Sequence, residues 1–231
     1  MNTSASFWIA GAMISLLALH PAFADPTARY GELQGVVDAI NDPDPLMRLA
    51  QLEEILTKGD ATEVQLAIRT AFTVDDPNVR SLALRSHFAS FRTFVVTAEL
   101  PEEIKKVLAG TDKSALQSLQ SSYQLRFFND LGYHLSFMSE APKSNELEFK
   151  TKFLNDGRSR EEFNGSGNIR GGMVTIVTPI YYPNSEKSCS LEFVRYEGFT
   201  LKGMGSCNLE KGFLFPVTLH LFDEDKPPLS K

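Results

Sequence analysis

The side chains able to do chemistry in this chain are four histidines, two cysteines and a scatter of hydroxyls and carboxylates. His20, His87, His134 and His220 fall in separate stretches. None stands in an H-E-x-x-H or C-x-x-C context, so spacing assigns no metal site. A nucleophilic hydrolase needs an activated Ser or Cys beside a base. Asn164-Gly165-Ser166-Gly167 holds its serine between glycines, but without G-x-S-x-G spacing and without a strand-to-helix setting, and it reads as a hairpin turn. Gly165, Gly167, Gly171 and Gly172 likewise lack the setting of a phosphate loop. Glu53-Glu54, Glu102-Glu103 and Glu161-Glu162 are consecutive, so on a helix they diverge by about 100° and read as solvated faces. Asp42 and Asp44 lack the later Gly and bidentate Glu of a calcium loop. No catalytic, cofactor-binding or metal-ligating residue is therefore assigned. Tyr181 and Tyr182 border a proline turn and are the candidate ligand contacts, as rings able to stack on a peptide or a sugar.

Composition narrows the partners. The 231 residues are 42% hydrophobic and 23% charged, with 23 Lys+Arg against 29 Asp+Glu, as in an ordinary globular protein. A net charge of −6 without a basic cluster argues against a phosphate-backbone partner, and no nucleic acid is expected. The acid is uneven. Residues 25–145 hold 12 Lys+Arg and 17 Asp+Glu, net −5, leaving −1 for the rest.

The first 24 residues carry an address. Phe7 to Leu19 is an uncharged run too short, at ~20 Å of helix, for the roughly 30 Å hydrocarbon core of a bilayer. Pro21 breaks it, and Ala22 and Ala24 supply the small side chains at −3 and −1 of a signal-peptidase site. Residues 1–24 are read as a signal peptide cleaved before Asp25, although the n-region carries no Lys or Arg. The expected location is periplasmic, with no membrane anchor after cleavage. Cys189 and Cys207, an even pair in an exported chain, are expected to form a disulfide.

From Thr27 to Gln124 the apolar spacing is helical. Leu33, Val36, Val37 and Ile40 make one stripe, Leu49, Leu52 and Leu56 belong to a second, and Ala67, Ile68 and Ala71 to a third. Gly59-Asp60 is read as a left-handed stop followed by a cap. Asp44-Pro45-x-x-Arg48 and Asp76-Pro77-x-x-Arg80 repeat, each after a helix, with proline placed where a first turn loses no hydrogen bond. This pattern resembles the HEAT-like helical repeat over about two units, residues 30 to 95. The resemblance implies that the Asp and Arg fix the turn between stacked helices, with Arg48 and Arg80 partly buried beside Asp44 and Asp76. Two such units expose an apolar face and need a cap, available from the segments after Pro101 or from the C-terminal half.

Beyond Leu131 the period becomes two. Phe149, Thr151 and Phe153 alternate with Glu148, Lys150 and Lys152, and further strands run over Met173–Tyr182, Cys189–Tyr196, Phe199–Cys207 and Phe213–Phe222. Tyr133–Met138 reads equally as strand or helix. Pro216 should place its strand at an edge or a bulge. Setting Cys189 opposite Cys207 puts Leu191 opposite Gly205 and Phe193 opposite Gly203, and demands an odd loop such as Glu197-Gly198-Phe199. The bridge should stabilise the fold by roughly 3 kcal/mol.

The expected organisation is α+β: signal peptide 1–24, an all-α domain 25–130, an antiparallel sandwich or open barrel of five or six strands at 131–222, and an acidic, proline-containing tail 223–231. The leading functional expectation is a non-enzymatic envelope protein that binds another protein or peptide, without a cofactor. The alternatives are an envelope hydrolase using His134 or His220, and an inhibitor or immunity protein for a basic secreted enzyme.

Overall fold

In a computed structural model, residues 25–90, 93–131, 133–140, 147–154, 165–181, 186–208 and 213–222 are described. The expected signal peptide, Glu161-Glu162, Tyr182 and the tail lie outside them. Four helices come first: α1 (Pro26–Ile40), α2 (Pro45–Lys58), α3 (Ala61–Thr73) and α4 (Pro77–Ser90). Their starts are built by side-chain capping. Asp25 and Asp60 accept from the amides two residues on, Asp44 from Leu46 and Met47, and Asp76 from Asn78 and Val79. Asp60 and Glu63 complete a reciprocal capping box. Gly59 ends α2 in extended backbone, φ −67°, so the left-handed stop expected there is absent. Glycine is required because a β-carbon would stand 2.6 Å from the Ile55 carbonyl oxygen.

The Asp-Pro-x-x-Arg motif occurs three times, not twice, since Asp25-Pro26-x-x-Arg29 opens α1 in the same way. Its arginine reaches forward rather than back to its own Asp. Arg29 pairs with Asp60, the cap of α3, and with Glu63 at 3.0 Å. Arg48 pairs with Asp76, the cap of α4, at 3.1 Å. The expectation that Arg48 sits beside Asp44 is thereby corrected: Asp44 is exposed, while Asp76 is buried. Arg80, with no further helix to clamp, bonds Asp75 at 3.0 Å and lies 4.5 Å over the Tyr196 ring. The geometry follows from antiparallel stacking, which sets the start of helix n beside the start of helix n+2.

The remaining elements are β1 (Thr93–Ala98), α5 (Glu102–Ala109), α6 (Lys113–Gln120), α7 (Tyr123–Leu131), β2 (His134–Glu140), β3 (Glu148–Phe153), β4 (Gly165–Arg170), β5 (Met173–Tyr181), β6 (Glu186–Glu197), β7 (Thr200–Cys207) and β8 (Leu214–His220). The strands close in sequence order into an eight-stranded antiparallel barrel, with β1 on β8. The α+β class holds, whereas a sandwich or an open barrel does not. The segment 25–130 is not all-helical, because β1 lies inside it and supplies the seam that closes the sheet. Residues 131–139, ambiguous in sequence, end α7 at Leu131 and begin β2 at His134. Ser166 lies in β4 and not in a turn. The turn is Gly171-Gly172, both at positive φ, linking β4 to β5.

The barrel interior is filled with rings laid over glycines. A β-carbon at Gly167 would fall within the Phe149 ring, and one at Gly205 would meet Phe215 at 2.5 Å. Both barrel ends are covered. At one, Phe88 of α4 stacks on Phe149 at 4.9 Å, Phe72 of α3 meets Phe222, and the Tyr196 hydroxyl donates to the Gly172 carbonyl at 2.8 Å. At the other, Phe127 and Phe128 of α7 pack on Phe213 and Phe215. The sheet therefore caps the helical units, and the segment after Pro101 plugs the barrel instead.

Cys189 and Cys207 are joined inside the barrel, with α-carbons 4.0 Å apart. Asn208 N donates to Ser188 O at 2.8 Å, which leaves the cysteines at the adjacent close-approach position of the ladder. Leu191 faces Gly205 and Phe193 faces Gly203, as expected. The loop differs: Glu197 pairs with Thr200, leaving the two-residue turn Gly198-Phe199. A bulge at Val194 absorbs the odd residue and restores both sulfurs to the inner face. Pro216 is not at a free edge, since none exists. Its carbonyl accepts from Glu99 N at 2.9 Å, just past the last residue of β1, so the missing donor costs only the final rung of that ladder.

Candidate functional site

The chemistry-bearing residues are placed apart, and mostly in structural roles. His87 is buried at the joint, edge-on to Phe222 at 5.0 Å and to Phe72 at 6.0 Å. His220 sits on the outer face of β8, buried, with Nε2 2.9 Å from Thr97 Oγ1. His134 begins β2, and Ser166 is exposed on the outer wall of β4. Among the described residues, no group of three His, Cys, Asp or Glu side chains could hold a metal ion. Asp42 Oδ1 accepts from Asp44 N at 2.8 Å, as a turn-former does. Tyr181 ends β5, and its predicted companion Tyr182 falls outside the described residues.

Two titratable groups at the helix–barrel joint are shifted. Burial pushes the Asp76 carboxyl up, but the Val79 and Asn78 amides and the Arg48 guanidinium outweigh it and hold the carboxyl below the usual range. Burial pushes the Tyr196 phenol well up, against the opposing field of Arg80. Both fix the neutral or charged form that the joint needs, and neither is poised for acid–base work near neutrality.

Surface grooves remain. Between α1 and α2 runs one of about 370 Å³, floored by Val36, Ala39 and Ile55 and rimmed by Glu32 and Glu54. Its stripe on α2 continues one turn back from Gln51 to Met47, which is half exposed, beside the more exposed Leu46. This is the side of the helical stack that the barrel does not cover, since α3 and α4 carry the joint. A second groove, of about 460 Å³, crosses the outer barrel wall at the Val194 bulge. Sequence reasoning singled out neither. The helical stripe was legible as apolar, but only the stacking order shows which part is left open.

Among the described residues, no helix is long and apolar enough to cross a membrane. The buried disulfide is consistent with an oxidising compartment. The chain matches no protein-family model, no curated protein sequence and no solved structure.

Proposed function

We propose that this chain is an exported, non-enzymatic binding protein that recognises another protein or peptide in the cell envelope through its α1–α2 face. The helical units act as HEAT-like recognition elements, and the barrel is the rigid body that caps them. The observation that carries the reading is the asymmetry of the helical stack. One side is buried on aromatic rings of the barrel, and the other keeps an apolar-floored groove whose stripe on α2 runs on to the half-exposed Met47. Stacked helical pairs bind along such faces. The net −5 of residues 25–145 favours a basic partner, which would compete at the rim with Arg29 for Glu32 and with Lys58 for Glu54. That charge also supports the second reading, an inhibitor or immunity protein for a basic secreted enzyme. A hydrolase draws no support from His87 locked in the joint or from His220 packed against Thr97.

The test is a photo-crosslinking amino acid placed at Met47, with a control at Lys150 on the barrel wall, in the exporting cell. The expected result is a discrete adduct from Met47 alone, lost when Glu32→Lys and Glu54→Lys are combined and weakened by salt. Equal patterns from both positions, or an adduct indifferent to the charge reversals, would overturn the reading.

A further inference from the structure

The outer groove on the barrel holds two neighbouring cations that have no ion-pair partner among the described residues. Arg195 on β6 and Lys202 on β7 are directly opposed across the ladder. Like charges directly opposite destabilise a sheet. Neither cation is paired with a carboxylate among the described residues. Of the two acids lining the groove, Glu99 is bound to Lys105 at 3.2 Å, while Glu197 is not held in an ion pair. Lys105 is itself shared between Glu99 and Glu102, so what the fold leaves open here is not a net charge but two adjacent cations, neither held by a carboxylate among the described residues.

Beside those cations the floor is apolar. Val194, pushed out by the bulge, Met204 and Pro216 lie together in the groove, and the first two are about half exposed. Close approach at the bulge is enforced by Gly203, where a β-carbon would fall on the Glu192 carbonyl oxygen. We propose that this groove binds a small amphipathic carboxylate, its head shared between Arg195 and Lys202 and its apolar tail lying on Val194, Met204 and Pro216. Arginine with a second cation suits a carboxylate head. The volume lies within the range of small-molecule sites. A peptide adding as a strand is disfavoured because the closed sheet has no free edge to pair with. An anionic bilayer is disfavoured because Glu99 and Glu197 flank the cations. The proposal is independent of the α1–α2 reading, since it concerns the other body of the molecule.

The experiment is a titration of the purified protein, labelled at its methionine methyl groups, with octanoate below its micellar range. The Met204 signal is assigned by its loss in Met204→Leu. The expected result is a saturable Met204 shift, at least tenfold weaker with acetate and with the double variant R195Q/K202Q. That variant should keep or raise the Tm, since it relieves repulsion between exposed groups. Binding should also weaken in high salt. The proposal is overturned by the absence of a saturable shift, by an equal response to acetate, by an equal response in a folded double variant, or by phosphatidylglycerol vesicles shifting Met204 where octanoate does not.

Discussion

The two halves of this molecule are held together by different physics. The helical half is organised from its helix starts. Proline sets the first turn, aspartate caps it, and an arginine one turn in reaches the cap of the helix after next, as Arg29 does with Asp60 and Arg48 with Asp76. The barrel has almost none of this local punctuation. It is held by Phe149 and Phe215 packed against glycines from neighbouring strands, by Phe137 stacked on Phe94, and by one buried disulfide. The first kind of order is written in short motifs. The second exists only once distant strands meet. Where the halves join, the devices mix: Arg80 ends the arginine series by lying on Tyr196, and Phe88 ends the aromatic fill by leaving the helices for Phe149.

The sharpest way to break this contrast is at Phe149, which belongs to both halves. Phe149→Ala removes the ring that fills the space at Gly167 and carries Phe88, and should cost roughly 3–5 kcal/mol. Chemical denaturation should show one shared transition moving for both halves. Two separated transitions would mean that the joint is not part of a common core. Next is the disulfide. Cys189→Ser with Cys207→Ser should cost roughly 3 kcal/mol, with hydrogen exchange rising first in β6 and β7 and not in α1–α4. Rises of equal size in the helices would dissolve the distinction between the halves. The smallest effect expected is at the helical clamp. Asp76→Asn removes the charge from a cap and from a partly buried ion pair, and should cost about 1–2 kcal/mol near neutrality. Because the folded carboxyl titrates below its unfolded value of about 4, the stability it supplies is present above that pH and is lost as pH falls through the folded value. The Tm gap between wild type and Asp76→Asn should therefore close in acid. A gap unchanged from pH 7 to about pH 2 would remove Asp76 from the account.

Much of the helical half was legible because its signals are local. The third Asp-Pro-x-x-Arg, at Asp25, is obscured in the sequence because it directly follows the expected cleavage site. The strands β3 and β5–β8 were legible from alternation. The strand β1 was hidden, because Thr93–Ala98 is a short apolar run directly after a helix, where periodicity does not separate the two states. The strand β4 was hidden because Gly165 and Gly167 have no side chains to alternate, and what occupies their inner face is Phe149 from another strand. Of the candidate site residues, the cysteines came together as expected, Asp76 and Arg48 joined across two units, Tyr181 ends β5 opposite Glu186, and Tyr182 lies outside the described residues.

By itself the amino-acid sequence determined the helix starts, the alternating strands, the α+β class and the pairing of Cys189 with Cys207, because each depends on neighbours along the chain or on there being only two thiols. Only the tertiary structure decided that the sheet closes, since that needs β1 to reach β8 from across three intervening helices and six strands. It alone also decided that Arg195 faces Lys202. An unbroken ladder through the cysteines would set Arg195 against Leu201, and the one-residue bulge at Val194 turns that pair into two opposed cations on the outer wall.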